Sequence, residues 1–377
     1  MTSEGASANG KTQESTPPLR VGVIGLGWAG QQHLKAYRDR AEVEICALAA
    51  MEEDLLEELG EEFGVESRFT RWEQLLELEE LDAVSIAVPT FLHAPIAVAA
   101  LGRGLHVLTE KPIARDAQEG RQMVEAARTA GRVLDVAFNH RRRGDVQELK
   151  KVITSGELGR AYYAKASWLR RSGIPVLGSW FTNKQMSGGG PLADLGVHVL
   201  DWALHLLGEP RAVAVSASTY AELGPRGRGG MARYSAMNSE HPFEVEDFAS
   251  AFIRLEDGGT LVIESSWATY REQKDLLDFM VYGSDGGAEL RAVGATDAPV
   301  GQLRVFTEKD GQDADYELTA QPGTAHQGVV SDFLDAIAAG PEEWPQHDGS
   351  VALARAEIID ACYRSAEEQR EVRLDHV

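Results

Sequence analysis

A short apolar run, Leu19-Arg20-Val21-Gly22-Val23-Ile24, passes directly into Gly25-Leu26-Gly27-Trp28-Ala29-Gly30, and this junction constrains the fold more than any other stretch of the chain. Gly25 permits a tight turn at the end of a strand, and Gly27 lets a pyrophosphate come up against bare backbone. Gly30, with no Cβ, lets the next helix lie close on the strand. The amides of Trp28, Ala29 and Gly30 and the helix dipole then face the phosphates. Helical spacing follows in His33, Leu34 and Tyr37, and a second strand over residues 43–48 arrives at the distance of a βαβ unit. Such a unit predicts a dinucleotide cradle.

The alternation continues. Strand patterns at residues 20–24, 44–49, 83–88, 106–109 and 133–137 are separated by helical periodicity, the signature of a parallel sheet covered on both faces. Past residue 141 the pattern changes. A helix at 145–155 and a strand at 161–168 precede an irregular Gly- and Trp-rich loop at 169–190, and a helix at 192–207 follows it. Long β-patterned runs come next, at 212–220, 245–255, 260–270, 277–283 and 303–307, with Asp257-Gly258-Gly259 as a hairpin turn. Helices at 328–339 and 350–369 close the chain. The expected architecture is α/β: a disordered tail over 1–18, a Rossmann dinucleotide-binding domain over 19–141, and an α/β domain over 142–377. That second domain should hold a large, mostly antiparallel open sheet with helices on one side.

Composition removes several alternatives. The 59 acidic and 37 basic side chains give a formal net charge of −22, whereas nucleic acid and anionic membranes both require a basic footprint. The two cysteines, Cys46 and Cys362, make neither a disulfide framework nor a ligand cluster, so no metal site is expected and a reducing cytoplasm fits. The longest apolar stretch, 83–101, is broken by Pro89, His93 and Pro95, which makes it a strand, loop and helix and not a membrane span. Residues 1–18 hold no apolar run that could serve in a secretory signal.

In an open α/β sheet the ligand lies outside the carboxyl ends of the strands. The third strand ends in Val88-Pro89-Thr90-Phe91-Leu92-His93 and the fourth in Thr109-Glu110-Lys111-Pro112. Pro89, Thr90, His93, Glu110 and Lys111 are therefore expected around the nicotinamide end of the cofactor. Lys111 stands out, because an ammonium there hydrogen-bonds a substrate oxygen as charge develops on it. The second constellation is Gly188-Gly189-Gly190-Pro191-Leu192-Ala193-Asp194-Leu195-Gly196-Val197-His198-Val199-Leu200-Asp201. Asp194 and His198, four apart at the start of an amphipathic helix, should share one face. His198 then takes a proton from a hydroxyl while hydride leaves the same carbon, and Asp194 orients it or binds a neighbouring hydroxyl. The alternative at these positions is a helix-capping aspartate and a core histidine.

The GLGWAG opening between strand and helix, VPTFLHAPIAVAAL, TEKPIA, the Phe138-Asn139-His140-Arg141 run and GGGPLADLGVHVLD together resemble the Gfo/Idh/MocA family of nicotinamide-dependent oxidoreductases. The resemblance covers nearly the whole chain after residue 19. It implies that Lys111, Asp194 and His198 are the catalytic trio. It also implies a sugar or cyclitol site in the second domain, lined by Asn139, His140, Arg170, Trp180 and Phe181, with Asn139 reaching the cofactor as well. Trp180 is then either a stacking platform for a pyranose or cyclitol face or a core tryptophan. Formation of a homodimer or homotetramer through that domain's sheet is implied too.

One position departs from the family pattern. The acidic residue at the tip of the second strand, which binds the adenosine ribose, is replaced by Ala50. Its loss reduces repulsion of a 2′-phosphate, but no arginine follows at once, and Glu52 and Glu53 disfavour such a phosphate. NAD or NADP is expected, with the balance toward NAD. The function implied is hydride transfer between nicotinamide and a carbinol or carbonyl carbon of a sugar, sugar derivative or inositol. Two rivals are a glycoside-cleaving enzyme that oxidises its substrate transiently and a non-catalytic dinucleotide-binding regulator.

Overall fold

The computed structural model describes residues 17–175, 178–230, 243–294 and 300–374. Apart from Pro17 and Pro18, the tail expected over residues 1–18 lies outside them. The chain opens with β1 (Leu19–Ile24), α1 (Trp28–Arg38), β2 (Val43–Ala49), α2 (Glu53–Phe63), β3 (Ser67–Phe69) and α3 (Trp72–Leu76). It continues with β4 (Ala83–Ile86), α4 (His93–Gly102), β5 (His106–Thr109), α5 (Ala117–Ala130) and β6 (Leu134–Val136). These six strands form one parallel sheet in the order β3-β2-β1-β4-β5-β6. The order reverses between β1 and β4, and that switch point opens a crevice beyond the strands' carboxyl ends. Five of the strands were expected from sequence. The sixth, β3, has three residues, too few to show a periodicity.

The remaining helices are α6 (Gly144–Ser155), the single turn α7 (Lys184–Ser187), α8 (Val197–Leu206), α9 (Ala325–Ala338) and α10 (Ser350–Glu368). The second sheet comprises β7 (Ala161–Arg170), β8 (Ala212–Tyr220), β9 (Phe248–Leu255), β10 (Thr260–Ser266), β11 (Asp275–Gly283) and β12 (Gly286–Val293). β13 (Gln302–Lys309), β14 (Gln312–Asp313), β15 (Tyr316–Leu318) and β16 (Val372–Arg373) complete it. Its order is β14-β13-β12-β11-β7-β10-β9-β8-β16, with β15 also on β13. Every pairing is antiparallel except that of β10 with β7. Strand β12 escaped the sequence reading because it starts with Gly286-Gly287 and carries Glu289 and Arg291, which dilute a β pattern. The expected strand over 260–270 stops at Ser266, and Trp267 leaves it to become fully buried.

Alternation decides which face of this sheet is covered. Ala164, Ala166 and Trp168 of β7 and Leu277, Phe279 and Val281 of β11 are buried in the core beneath α8, with Leu200 and Trp202. The opposite face shows Phe252, Tyr282 and a Lys165–Glu264 ion pair at 2.8 Å. Helix α9, distant in sequence, returns to the first sheet: Val329, Val330, Phe333 and Leu334 join Val21, Val23, Leu34 and Tyr37 in one core. A buried charge cluster ties the two sheets. Asp201 of α8, 1% exposed, accepts from Arg141 through both oxygens at 2.7 and 2.5 Å and from Arg355 of α10 at 3.0 Å. Removing any one member would strand a desolvated charge, so the cluster sets the relative placement of the turn after β6, α8 and α10.

Candidate active site

Gly25 has φ +89°, and a Cβ there would lie 2.2 Å from the Ala87 carbonyl oxygen. A Cβ on Gly30 would stand 2.0 Å from the Gly25 carbonyl oxygen, which sets how closely α1 lies on the turn. Gly27 is the opposite case, with nothing within 4 Å of its Cβ position. It faces open space at the start of α1, where no side chain caps the first amides, leaving both room and donors for a pyrophosphate. A dinucleotide fits this cradle. Trp28 is exposed and stands edge-on to His326, with ring centroids 5.2 Å apart. Ala50 is buried at the tip of β2 with its amide on the Phe69 carbonyl at 3.1 Å. Beyond it Met51 is exposed and Glu52, Glu53 and Asp54 start α2.

The ends of β4 and β5 are locked to one another through His93. Its Nδ1 lies 2.8 Å from the Pro112 carbonyl and its Nε2 2.9 Å from the Val88 carbonyl. A neutral ring donates to one of these carbonyls and lies against the other, so His93 ties the segment after β4, with Pro89 and buried Thr90, to the segment after β5. Glu110 is likewise engaged by neighbouring groups. Its Oε1 faces His33 Nε2 at 3.2 Å and His326 Nε2 at 3.3 Å, and its Oε2 accepts from the Lys111 amide at 3.3 Å. Burial pushes this carboxyl up, but hydrogen bonds and charge from the two imidazoles outweigh it and hold the group far below the usual range. The three facing atoms lie within 4.8 Å of one another.

Lys111 Nζ donates to Asp194 Oδ1 at 2.9 Å and to the Asp194 carbonyl at 3.2 Å. The other carboxylate oxygen accepts from Trp267 Nε1 at 2.9 Å. Burial raises the Asp194 carboxyl, yet the Lys111 ammonium, Arg170 and the indole overcome this and keep it below its ordinary value. Asp194 sits in a π-helical turn, Leu192–Gly196, that leads into α8. The amides of Gly190 and Leu192 there are capped by buried Glu246 at 3.0 Å each, and Tyr363 Oη holds the same carboxylate at 2.9 Å.

Among the described residues no hydrogen bond joins Asp194 to His198, and the carboxylate expected to orient the imidazole or to bind a neighbouring hydroxyl accepts from Lys111 and Trp267. His198 instead stacks on His140, with centroids 4.4 Å apart and planes at 28°, and His140 lies 4.8 Å from the Trp168 ring. The Nδ1 atoms of both histidines are buried without a partner. Burial, reinforced by the Lys111 ammonium, holds His198 well below the ordinary imidazole value, and burial does the same for His140.

Of the other expected substrate residues, Arg170 acts electrostatically on Asp194 and His198. Arg170 lies 5.0 Å over the Trp168 ring and 3.7 Å from Asp275 Oδ1. Asn139 and His140 share the turn that follows β6. Trp180 and Phe181 stack on each other at 3.8 Å, both partly buried, in the turn before α7. Sequence reading missed Trp267, Trp168, Glu246 and His326. The first two carry a faint signal, a tryptophan at the end of a β run, whereas His326 sits in Gly323-Thr324-Ala325-His326 with nothing to mark it.

Residues 19–138 match the family model described as an oxidoreductase family with an NAD-binding Rossmann fold, and residues 146–289 match the GFO/IDH/MocA C-terminal domain. The D-glucoside 3-dehydrogenase of Escherichia coli (strain K12) is 30% identical over 365 residues, which is 97% of this chain and 100% of that protein. Levoglucosan dehydrogenase of Pseudarthrobacter phenanthrenivorans is 30% identical over 284 residues, 71% of this chain and 72% of that protein. A solved levoglucosan dehydrogenase in complex with NADH and levoglucosan superposes with a TM-score of 0.81 at 25% identity, over 95% of this chain and 100% of that one. Matched in sequence through both domains and in fold along its length, the chain belongs to the Gfo/Idh/MocA family of NAD-binding oxidoreductases.

Proposed function

We propose that the protein oxidises a secondary ring hydroxyl of a sugar or sugar derivative, or reduces the matching ketone, with Lys111, Asp194 and His198 as its catalytic residues. The observation that carries this reading is the Lys111 ammonium held by Asp194 at 2.9 Å at the mouth of the switch-point crevice, on the side where His198 stands. The bound nicotinamide supplies or accepts the hydride. Lys111 polarises the substrate oxygen, Asp194 fixes that ammonium in place, and His198 exchanges the hydroxyl proton at Nε2, its Nδ1 being sealed. Asn139, Arg170, Trp180 and Phe181 complete the walls. A polyol suits such a site, because a missing hydroxyl would leave a buried partner unpaired.

Residues 19–141 serve the cofactor and 142–377 the substrate, with α9 returning to the first core. NAD is the preferred cofactor, given Glu52, Glu53 and Asp54 at the ribose end of the cradle. The open sheet face with Phe252 and Tyr282 supports a homodimer or homotetramer built through it, and light scattering that returned a 41.0 kDa monomer would rule this out. Two free thiols, Cys46 and Cys362, suit a cytoplasmic protein, and among the described residues no helix is long and apolar enough to cross a membrane. The test is a screen of glucosides, levoglucosan, free sugars and inositols with NAD and NADP, read by nicotinamide absorbance, alongside His198→Ala. Turnover of an alkyl glucoside or levoglucosan that His198→Ala lowers about 10²- to 10⁴-fold is expected. A mutant with full activity would return His198 to the helix core.

A further inference from the structure

His140 does not sit in the site as an ordinary lining residue. Its ring lies 4.4 Å from His198 at 28° and 4.8 Å from Trp168 at 34°, and Trp168 itself stands 5.8 Å from His198 at 51°. Trp168 is anchored in turn, since its Nε1 donates to Asp275 Oδ1 at 2.7 Å and it lies on β7, an interior strand of the large sheet. The three rings therefore form a cluster seated on a rigid strand, in which His140 alone lies face to face with the imidazole expected to handle the proton. The turn bearing His140 is fixed as well, because the adjacent Arg141 is clamped by Asp201 at 2.7 and 2.5 Å. Neither His140 Nδ1 nor His198 Nδ1 has a partner, and both are buried. A sealed nitrogen makes no contact with a substrate hydroxyl.

We propose that His140 is a positioning residue for His198: its flat face fixes the plane of that imidazole and keeps water off it. The inference rests on the reading of His198 as the proton-exchanging group. Its physical basis is that misplacing a reacting group by about 1 Å costs on the order of 10²-fold in rate, and that an imidazole stripped of water resists protonation. The charged and titratable groups around His198 include Lys111 from the loop after β5, His140, Arg170 from the end of β7 and His326 from α9, with Asp194 in the turn that leads into its helix and Asp201 three residues on. The Asp194 carboxylate is already engaged by Lys111 and Trp267, and that of Asp201 by Arg141 and Arg355. Exclusion of water and the surrounding cations thus act in the same direction, favouring neutral His198.

The role makes a demand on shape and none on the nitrogens of His140, which separates it from substrate binding. His140→Phe keeps a flat ring in the stack, whereas His140→Ala opens a water-sized gap against His198. The imidazole of His198 is followed by ¹⁵N spectra of histidine-labelled protein without substrate, its signal assigned by loss in His198→Gln. NADH affinity confirms that each variant is folded. In the wild type and in His140→Phe the ring titrates well below its ordinary value of about 6.5; in His140→Ala its titration moves up toward that value. With the glucoside or levoglucosan turned over in the screen, His140→Phe keeps kcat within about threefold. His140→Ala loses roughly 10- to 100-fold in kcat with little change in KM, and its acid limb moves up. Equal damage in Phe and Ala variants, a loss confined to KM, or an unmoved His198 titration in His140→Ala each overturn the proposal. Full activity in His198→Ala would instead remove the reading on which it rests.

Discussion

Replacing Asp194 with asparagine tests how the lysine is held. The carboxylate serves two donors through two separate oxygens, Lys111 Nζ at Oδ1 and Trp267 Nε1 at Oδ2, both at 2.9 Å. Asparagine offers one acceptor oxygen and one NH₂, so whichever way it is turned, one donor meets another donor. The exchange therefore removes a charge and also creates a mismatch. At 2.9 Å and an effective dielectric of about 20, the gross attraction of the ion pair is roughly 6 kcal/mol. Desolvation offsets part of that, and breaking a buried pair costs about 3–5 kcal/mol in practice. The two side chains are 17% and 19% exposed, and Nζ keeps the Asp194 carbonyl at 3.2 Å. Together these point to the lower end, about 3 kcal/mol.

Trp267→Phe leaves the ion pair but strips Oδ2 of its donor, at a cost of about 1.5–3 kcal/mol for a hydrogen bond to a charged group. With phenylalanine at 267, asparagine can turn its oxygen to Lys111 and its NH₂ meets no opposing donor. The double variant should accordingly be less destabilised than the sum, by about 1–2 kcal/mol. Urea unfolding of the four proteins, each monitored by fluorescence and by circular dichroism, measures the cycle. Activity of Asp194→Asn should fall about 10²- to 10⁴-fold, since the ammonium loses its fixed position. Strict additivity, or an asparagine variant within about 0.5 kcal/mol of wild type, would refute the argument that both oxygens are committed.

Gly27→Ala should fold as well as wild type, because its Cβ enters open space, yet lose about 10- to 100-fold in NADH affinity by crowding the pyrophosphate. Gly30→Ala, whose Cβ meets the Gly25 carbonyl at 2.0 Å, should instead cost about 1–3 kcal/mol of stability in thermal unfolding; equal behaviour of the two variants would contradict the cradle geometry. Replacing Glu52 and Glu53 together by alanine should narrow the preference for NADH over NADPH by roughly 1–3 kcal/mol in paired titrations, and no change would show that this end of the cradle does not read the ribose. The pH dependence of stability follows from His93, His140 and His198, whose folded pKa values are lowered, and from His106 and His205, pushed down to about 4. The unfolded chain binds these protons first, so stability rises with pH through this range and falls as pH drops below about 6.5. Tm measured from pH 7 to about 4.5 should decline steadily, and a flat profile would contradict the burial of these imidazoles.

Local chemistry was legible in the sequence wherever neighbouring residues explain one another. The turn at Gly25, the switch-point loops and the LADLGVH helix each declare themselves within about ten residues, because strand ends, glycine contacts and helix spacing are short-range geometry. Pairings made by the tertiary fold were not legible. Trp267 reaches Asp194 only because the chain turns inward after β10, and His326 reaches Glu110 only because α9 folds back on the first sheet. The partners of Asp194 were hidden for a related reason. Four-residue spacing puts two side chains on one face, but it does not say which of the available donors each will meet. Here a lysine and a tryptophan, each more than seventy positions away in sequence, take both oxygens. The imidazole was left to be held by ring stacking, an interaction whose partners, His140 and Trp168, sequence spacing never brings together. A site at the meeting of two sheets therefore divides its labour: short-range motifs bring the reacting groups to the crevice, and residues from the second sheet and its helices decide their orientation and protonation.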